Sequence, residues 1–399
     1  MLAVTLTLLL AAATPTTTGS LPWIVDDYDA ALKQAQAKGL PIVIDLWAPW
    51  CHTCLSMKHF VLSDPSLATY KDRFVWLALD TDKPVNASVL TRFPAEVWPT
   101  FYIVAPDESV QVQKPSAMSL RGFRGFLDQG LEAMRAAKGL SADNALWWVR
   151  EGDRFAAKKD YPHAATAWST ALQKGPKQWA ERPGVLLKLL RALYRQKDFE
   201  AGGRLTLAEL RPAMLGRDVA GVDFARYGAL CADKMNDDKL KEKVRRALIS
   251  PAALPHLVDD VAAPLSVDDR SDGMAILRRI YLGLEQKADA DARATMQARL
   301  LDTAVSNAPS PYAAMTWGYP RLEVYSYLGR AADLIGWFGD LEVALPTQYD
   351  PPYRLAGALK AAGKFKEALA AAKRAAALAY GPRKATIERM IRGLEERAK

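Results

Sequence analysis

Ile42-Val-Ile-Asp-Leu-Trp-Ala-Pro-Trp-Cys51-His-Thr-Cys54 is the stretch of this 399-residue chain whose reading decides the fold. Its first six residues, β-branched or bulky and apolar apart from Asp45, read as a buried strand. Ala-Pro-Trp then turns the chain, and residues 51–62 carry helical spacing. Cys51 therefore stands where a helix begins. A thiol there faces backbone N–H groups with no intrahelical partner and the positive end of the helix dipole, both of which favour the thiolate. Cys54 follows one turn later, close enough to attack a mixed disulfide formed at Cys51. Cys51 is thus the expected nucleophile, and Cys54 the expected resolving thiol, less exposed than its neighbour.

Outward from this stretch, helical and strand-like segments alternate. Residues 27–38 read as an amphipathic helix stopped by Gly39 and Pro41. Strand patterns recur at 74–80, 100–104 and 110–113, with a short helical piece near 86–92 and a helix over about 120–137. Such βα alternation around few strands predicts an α/β layer fold. After Gly139 the strands vanish, and Ala, Leu, Arg and Lys recur at helical spacing.

Ala30-Ala-Leu ahead of Lys38-Gly-Leu-Pro, Asp45 on its strand, Trp50-Cys51-His-Thr-Cys54, Met57 and Ser63-Asp-Pro together carry a family pattern. Residues 28–138 resemble a thioredoxin-like domain, similar in pattern to the C-terminal domain of the bacterial disulfide reductase DsbD. The resemblance implies that Asp45 is buried behind Cys54 and assists its proton transfers. It also implies that Trp98-Pro99-Thr100 is the loop facing the cysteines, with Pro99 cis. The Trp98 backbone would then pair with an extended substrate peptide. Cys51, Cys54 and Asp45 are accordingly the candidate catalytic residues, and Trp50, Trp98 and Pro99 the candidate substrate-binding ones. Three positions depart from the family pattern: Leu55 replaces a usual Lys or Arg, Trp98 is bulky, and Ala78 stands near the place of a buried lysine. His52 has two readings. As an imidazolium it would favour the Cys51 thiolate and the reduced form; as a solvent-facing side chain it would matter little.

Trp148, Gly152, Phe155, Ala164, Trp168, Ala171 and Pro176 fall at the positions of a tetratricopeptide (TPR) repeat, with Glu151 in place of the usual Leu. Weaker copies begin at Leu189 and Leu355. The stretch 216–346 keeps helical periodicity without the signature and reads as degenerate helical hairpins, since a solenoid needs about three stacked units, with an independent helical domain as the lesser alternative. The predicted organisation is a signal peptide over 1–20, an α/β thioredoxin-like domain over 21–139 and an all-α TPR-like solenoid over 140–399.

The leader reading rests on residues 2–13, apolar apart from Thr, ending in Ala11-Ala12-Ala13. The run is too short for a membrane span, although no Lys or Arg precedes it. Net charge is +8, but acidic residues are interleaved almost everywhere, so no nucleic-acid footprint emerges. Three cysteines cannot form a disulfide scaffold, and Cys231, in an apolar helical stretch, reads as a small buried hydrophobe. One Cys-x-x-Cys with four scattered histidines does not make a structural zinc site, and the chemistry calls for neither metal nor cofactor. Two function classes follow. The first is an exported thiol:disulfide oxidoreductase acting on protein thiols and disulfides, with a separate redox donor or acceptor and a protein partner on the TPR-like surface. The second is a TPR scaffold or assembly factor whose thioredoxin domain is a binding platform or a thiol metallochaperone. The combination of Cys51, Cys54, Asp45 and Pro99 favours the first, because a platform has no need of all four.

Overall fold

The computed structural model describes residues 21–136, 141–179, 181–214 and 218–397; the expected signal peptide lies outside the described residues. Five strands form one mixed sheet: β1 (Trp23–Val25), β2 (Ile42–Trp47), β3 (Val75–Asp80), β4 (Thr100–Val104) and β5 (Val110–Lys114). Their spatial order is β1-β3-β2-β4-β5. β3 runs parallel to both β1 and β2, whereas β4 is antiparallel to β2 and to β5. Four helices flank the sheet: α1 (Tyr28–Lys38), α2 (His52–Phe60), α3 (Ala87–Arg92) and α4 (Leu120–Ala136).

The central strands are apolar on both faces because helices cover both. Ile42, Ile44 and Leu46 point with Val75, Leu77 and Tyr102 toward Tyr28, Ala31 and Ala35 of α1. Val43 points the other way, with Trp76, Phe101 and Ile103, onto Met57 of α2 and Phe123, Phe126 and Leu127 of α4. Successive strand side chains alternate faces, so Asp45 shares the face of Val43, the one that α2 covers. α1 begins where the Asp27 carboxylate accepts the Ala30 N–H at 2.9 Å, and ends where Gly39 takes a left-handed φ of 65°. The sequence reading missed β1, a three-residue edge strand too short for a periodicity, and the 3₁₀ stretch Pro65–Arg73.

Among the described residues everything beyond α4 is helix, turn or loop. The series runs α5 (Ala145–Ala157), α6 (Tyr161–Lys174), α7 (Arg182–Arg195), α8 (Phe199–Met214), α9 (Val219–Lys234), α10 (Asp238–Leu248) and α11 (Leu254–Asp259). It continues with α12 (Val267–Gly283), α13 (Lys287–Ser306), α14 (Pro311–Ala314), α15 (Gly318–Tyr327), α16 (Ile335–Ala344), α17 (Asp350–Ala361), α18 (Phe365–Leu378) and α19 (Gly381–Glu395). Helices pack mostly on their near neighbours in sequence, as stacked helical repeats do. In α5 and α6 the small residue of the repeat pattern has a visible reason: a Cβ on Gly152 would lie 2.3 Å from the Trp168 indole nitrogen. Cys231 is fully buried where α9 crosses α8, and a Cβ on Gly202 would lie 2.6 Å from its sulfur. Burial pushes that thiol up to about 12, which leaves it unreactive. No helix among the described residues is long and apolar enough to cross a membrane.

The helical part touches the sheet at two places. On the β5 side, Asp153 accepts the Gln113 N–H and pairs with Lys188 at 2.6 Å, while Ser116 donates to Asp223 at 2.6 Å. On the other side, α12, α15, α17 and α19 close over the turn that carries the cysteines.

Candidate redox site

Cys51 is the N-cap residue of α2. Its sulfur accepts the Cys54 N–H at 3.0 Å and is bonded to the Cys54 sulfur, so the structure holds the oxidised pair. The same N–H would stabilise a thiolate on reduction, and it is supplied by the helix end that the sequence placed there. The Thr53 hydroxyl sits 3.2 Å from the Cys51 sulfur and donates to the Trp98 carbonyl at 3.0 Å. The Trp98–Pro99 bond is cis. Because its carbonyl already accepts from Thr53, Trp98 has one lone pair fewer for an incoming peptide than the resemblance implied.

Asp45 lies on the face of β2 beneath α2 and is only 8% exposed. Its Oδ1 is buried without a hydrogen-bond partner. Burial pushes this carboxyl up to about 7, opposed by the charge of Lys58, one turn beyond Cys54. Burial likewise lowers the Lys58 ammonium, which lies 4.9 Å from the centre of the Trp47 ring. With Ala78 in the place of the family's buried lysine, Lys58 is the cation that faces the carboxyl, and the sequence reading did not single it out.

Trp50 and Trp98 form a wall, their rings 5.3 Å apart. Each indole N–H is held at the end of β3: Trp50 donates to Asp82 and Trp98 to Thr81, both at 2.8 Å. Around them stands a shell from the far end of the sequence. The Arg383 guanidinium lies 4.1 Å over the Trp50 ring, Arg354 donates to the Trp50 carbonyl at 3.4 Å, and the Tyr380 hydroxyl donates to Asp80 at 2.6 Å. Gly381 is required at the start of α19, since its φ is +55° and a Cβ there would lie 2.0 Å from the Asp82 carbonyl oxygen.

Two expectations are corrected by this shell. Cys51 is no more exposed than Cys54, each being 4% accessible, with Trp47, Trp50 and Trp98 packed against the pair and the helical shell holding Trp50 in place. His52 is half-buried rather than solvent-facing: its Nδ1 lies 2.8 Å from Asp268 of α12, and its ring stacks on Tyr319 of α15 with centroids 5.3 Å apart. No sequence signal connects residues 52 and 268. A cavity of about 180 Å³ opens beside the turn, lined by His52, Thr53, Trp98, Arg226, Asp269 and Asp272 among others.

Comparison with known proteins agrees with this geometry. The sequence model of a thioredoxin-like family matches residues 23–106. Over 65 residues the chain is 43% identical to the thiol:disulfide interchange protein DsbD of Cronobacter sakazakii (strain ATCC BAA-894), a match that covers 16% of this chain and 11% of that protein. The sheet order, the Cys51–Cys54 disulfide at the head of α2 and the cis-Pro99 loop opposite it make the N-terminal part of the chain a thioredoxin-like domain.

Proposed function

We propose that the chain is an exported thiol:disulfide oxidoreductase that reduces or interchanges disulfides in partner proteins. The carrying observation is the Cys51 sulfur capping α2 above a buried Asp45, which offers a stabilised thiolate and a proton acceptor within one small region. In the reduced enzyme the Cys51 thiolate attacks one sulfur of the partner disulfide. A Cys51–partner S–S bond forms, the partner's own S–S bond breaks, and the departing sulfur leaves as a thiolate that takes a proton. Cys54 passes its proton to the Asp45 carboxylate and attacks Cys51, which breaks the mixed disulfide and frees the second partner thiol. The partner gains two electrons, both from the Cys51–Cys54 pair, and two protons, one released by Cys54 by way of Asp45 and one from solvent, and a separate dithiol protein recharges the pair.

In this reading the chain divides into a leader over 1–20, the redox domain over 21–139 and a TPR-like partner-binding part over 140–399. Trp50, Trp98 and Pro99 line the approach to Cys51. The apolar run of residues 2–13 ending in Ala11-Ala12-Ala13 supports the first assignment, the relative's name the second, and the repeat pattern of α5 and α6 the third. Because the helical part holds the residues on both sides of Cys51, Trp50 and His52, a protein substrate engages that part as it reaches the pair. Equilibrating the purified protein with glutathione buffers tests the reading: a couple near about −270 mV marks a reductant and one near about −120 mV an oxidant. A disulfide that does not exchange at all would remove the enzyme and leave a scaffold.

A further inference from the structure

The pair of half-buried His52 and buried Asp268 joins the redox turn to the helical part. Asp268 is 1% exposed, and its Oδ1 lies 2.8 Å from His52 Nδ1 while its Oδ2 is buried with no hydrogen-bond partner. Among the described residues the imidazole is therefore the one hydrogen-bonding group that meets this carboxylate. Stacking on Tyr319, which is itself covered by the Arg354 guanidinium at 5.1 Å, fixes the ring on its other side. A buried carboxylate is costly unless a cation compensates it: burial raises the Asp268 carboxyl, the charge and hydrogen bond of His52 oppose that rise, and the carboxylate in turn favours the imidazolium.

On the reading that Cys51 and Cys54 exchange disulfides, we propose that Asp268 is a positioning residue of the redox couple: it holds His52 as an imidazolium beside Cys51 and thereby stabilises the reduced pair. The poise of the couple is then set jointly by the thioredoxin-like domain and by α12, 216 residues away in sequence.

The charged surroundings agree. Burial by itself would lower the His52 imidazole, but Asp268, helped by Asp272, outweighs it and carries the group above its ordinary range, against the opposing charge of Arg226. Arg226 of α9 is in turn held by Asp272 at 2.5 Å and by Asp223 at 3.5 Å, so its charge is largely committed. Asp269 caps its own helix through Ser266, and burial with the neighbouring Asp268 charge pushes it up to about 7. Lys58 of α2 is the cation that interacts with Asp45 on β2. The competing role for Asp268 is purely structural, an acid in the first turn of α12 that complements the helix dipole. That role affects stability and leaves the couple alone.

The test uses the full chain and equilibrium readouts, which changes in access to Cys51 do not disturb. The thiolate absorbance of the reduced protein is titrated against pH, and the couple is equilibrated with glutathione. In Asp268→Asn the imidazole loses its counter-charge and becomes neutral at pH 7. The Cys51 titration should then move up and the equilibrium should shift about tenfold toward the disulfide, close to 30 mV more reducing. His52→Gln should do the same, and the double variant should shift no further than either single change. Asp268→Glu should restore most of the wild-type poise. The proposal is overturned if Asp268→Asn stays within about twofold of wild type, or if the two single shifts simply add. Should Asp268→Asn fail to fold, His52→Gln decides alone: an unchanged couple in that variant overturns the proposal. A wild-type pair that exchanges normally but ignores these substitutions sinks this inference and spares the enzyme reading; a pair that never exchanges sinks both.

Discussion

Replacing Asp45 by Asn should make the protein more stable at neutral pH while slowing its exchange chemistry. The carboxyl is 8% exposed, one of its oxygens has no partner, and burial raises it from an ordinary 3.8 to about 7. Between those two values the native state binds the proton and the unfolded state has released it, so stability falls as pH rises from about 4 to about 7. A displacement of that size, at 1.36 kcal/mol for each pH unit, amounts to on the order of 4 kcal/mol in all, of which about 3 kcal/mol is lost between pH 4 and pH 7, with the rest below and above that window. Asn cannot ionise and escapes the loss. Urea unfolding of the oxidised protein at several pH values between 4 and 8 isolates the effect as the difference between variant and wild type. Asp80 and Asp269, also raised by burial, to about 6 and about 7, tilt both curves alike. The difference should grow by on the order of 3 kcal/mol across the window in favour of Asn. A difference independent of pH would refute the reasoning, because Asp45 would then titrate alike folded and unfolded. If the pH–rate profile of exchange were also unchanged, the carboxyl would have no part in the resolving step.

Cys54→Ser should accumulate mixed disulfides with partner proteins through Cys51, and Cys51→Ser far fewer; alkylation of the reduced protein that favoured Cys54 would reverse the two roles. Gly381→Ala forces a Cβ against the Asp82 carbonyl in a left-handed conformation, and should lower the melting temperature and speed alkylation of reduced Cys51 as α19 lifts from the turn. Unchanged alkylation in a folded, destabilised variant would mean that α19 does not limit access. Lys188→Ala leaves Asp153, 1% exposed, without its ion-pair partner on the β5 side, and should cost about 3–5 kcal/mol of stability by urea unfolding. The cost should shrink on acidification, as Asp153, which burial already favours in its protonated form, takes up a proton.

The local chemistry of the redox turn was legible because it is a local matter. A strand period that ends at Trp47, a turn and a helix starting at residue 52 put Cys51 at a helix end wherever the rest of the chain goes, and the structure finds its sulfur on the Cys54 N–H. Asp45 was legible for a related reason, as a lone acid on a strand otherwise buried on both faces. Lys58 was not, since its relevance depends on which face of α2 lies over β2 and on Ala78 leaving room for another cation. The exposure of the pair was misjudged because accessibility depends on everything that packs over a residue. Asp268, Tyr319, Arg354 and Arg383 reach the turn only after the helical series has folded back upon the sheet. Backbone periodicity and helix-end electrostatics act over a few residues and are written into the sequence; burial and charge pairing act through space, and here the tertiary structure alone brought residue 52 to residue 268.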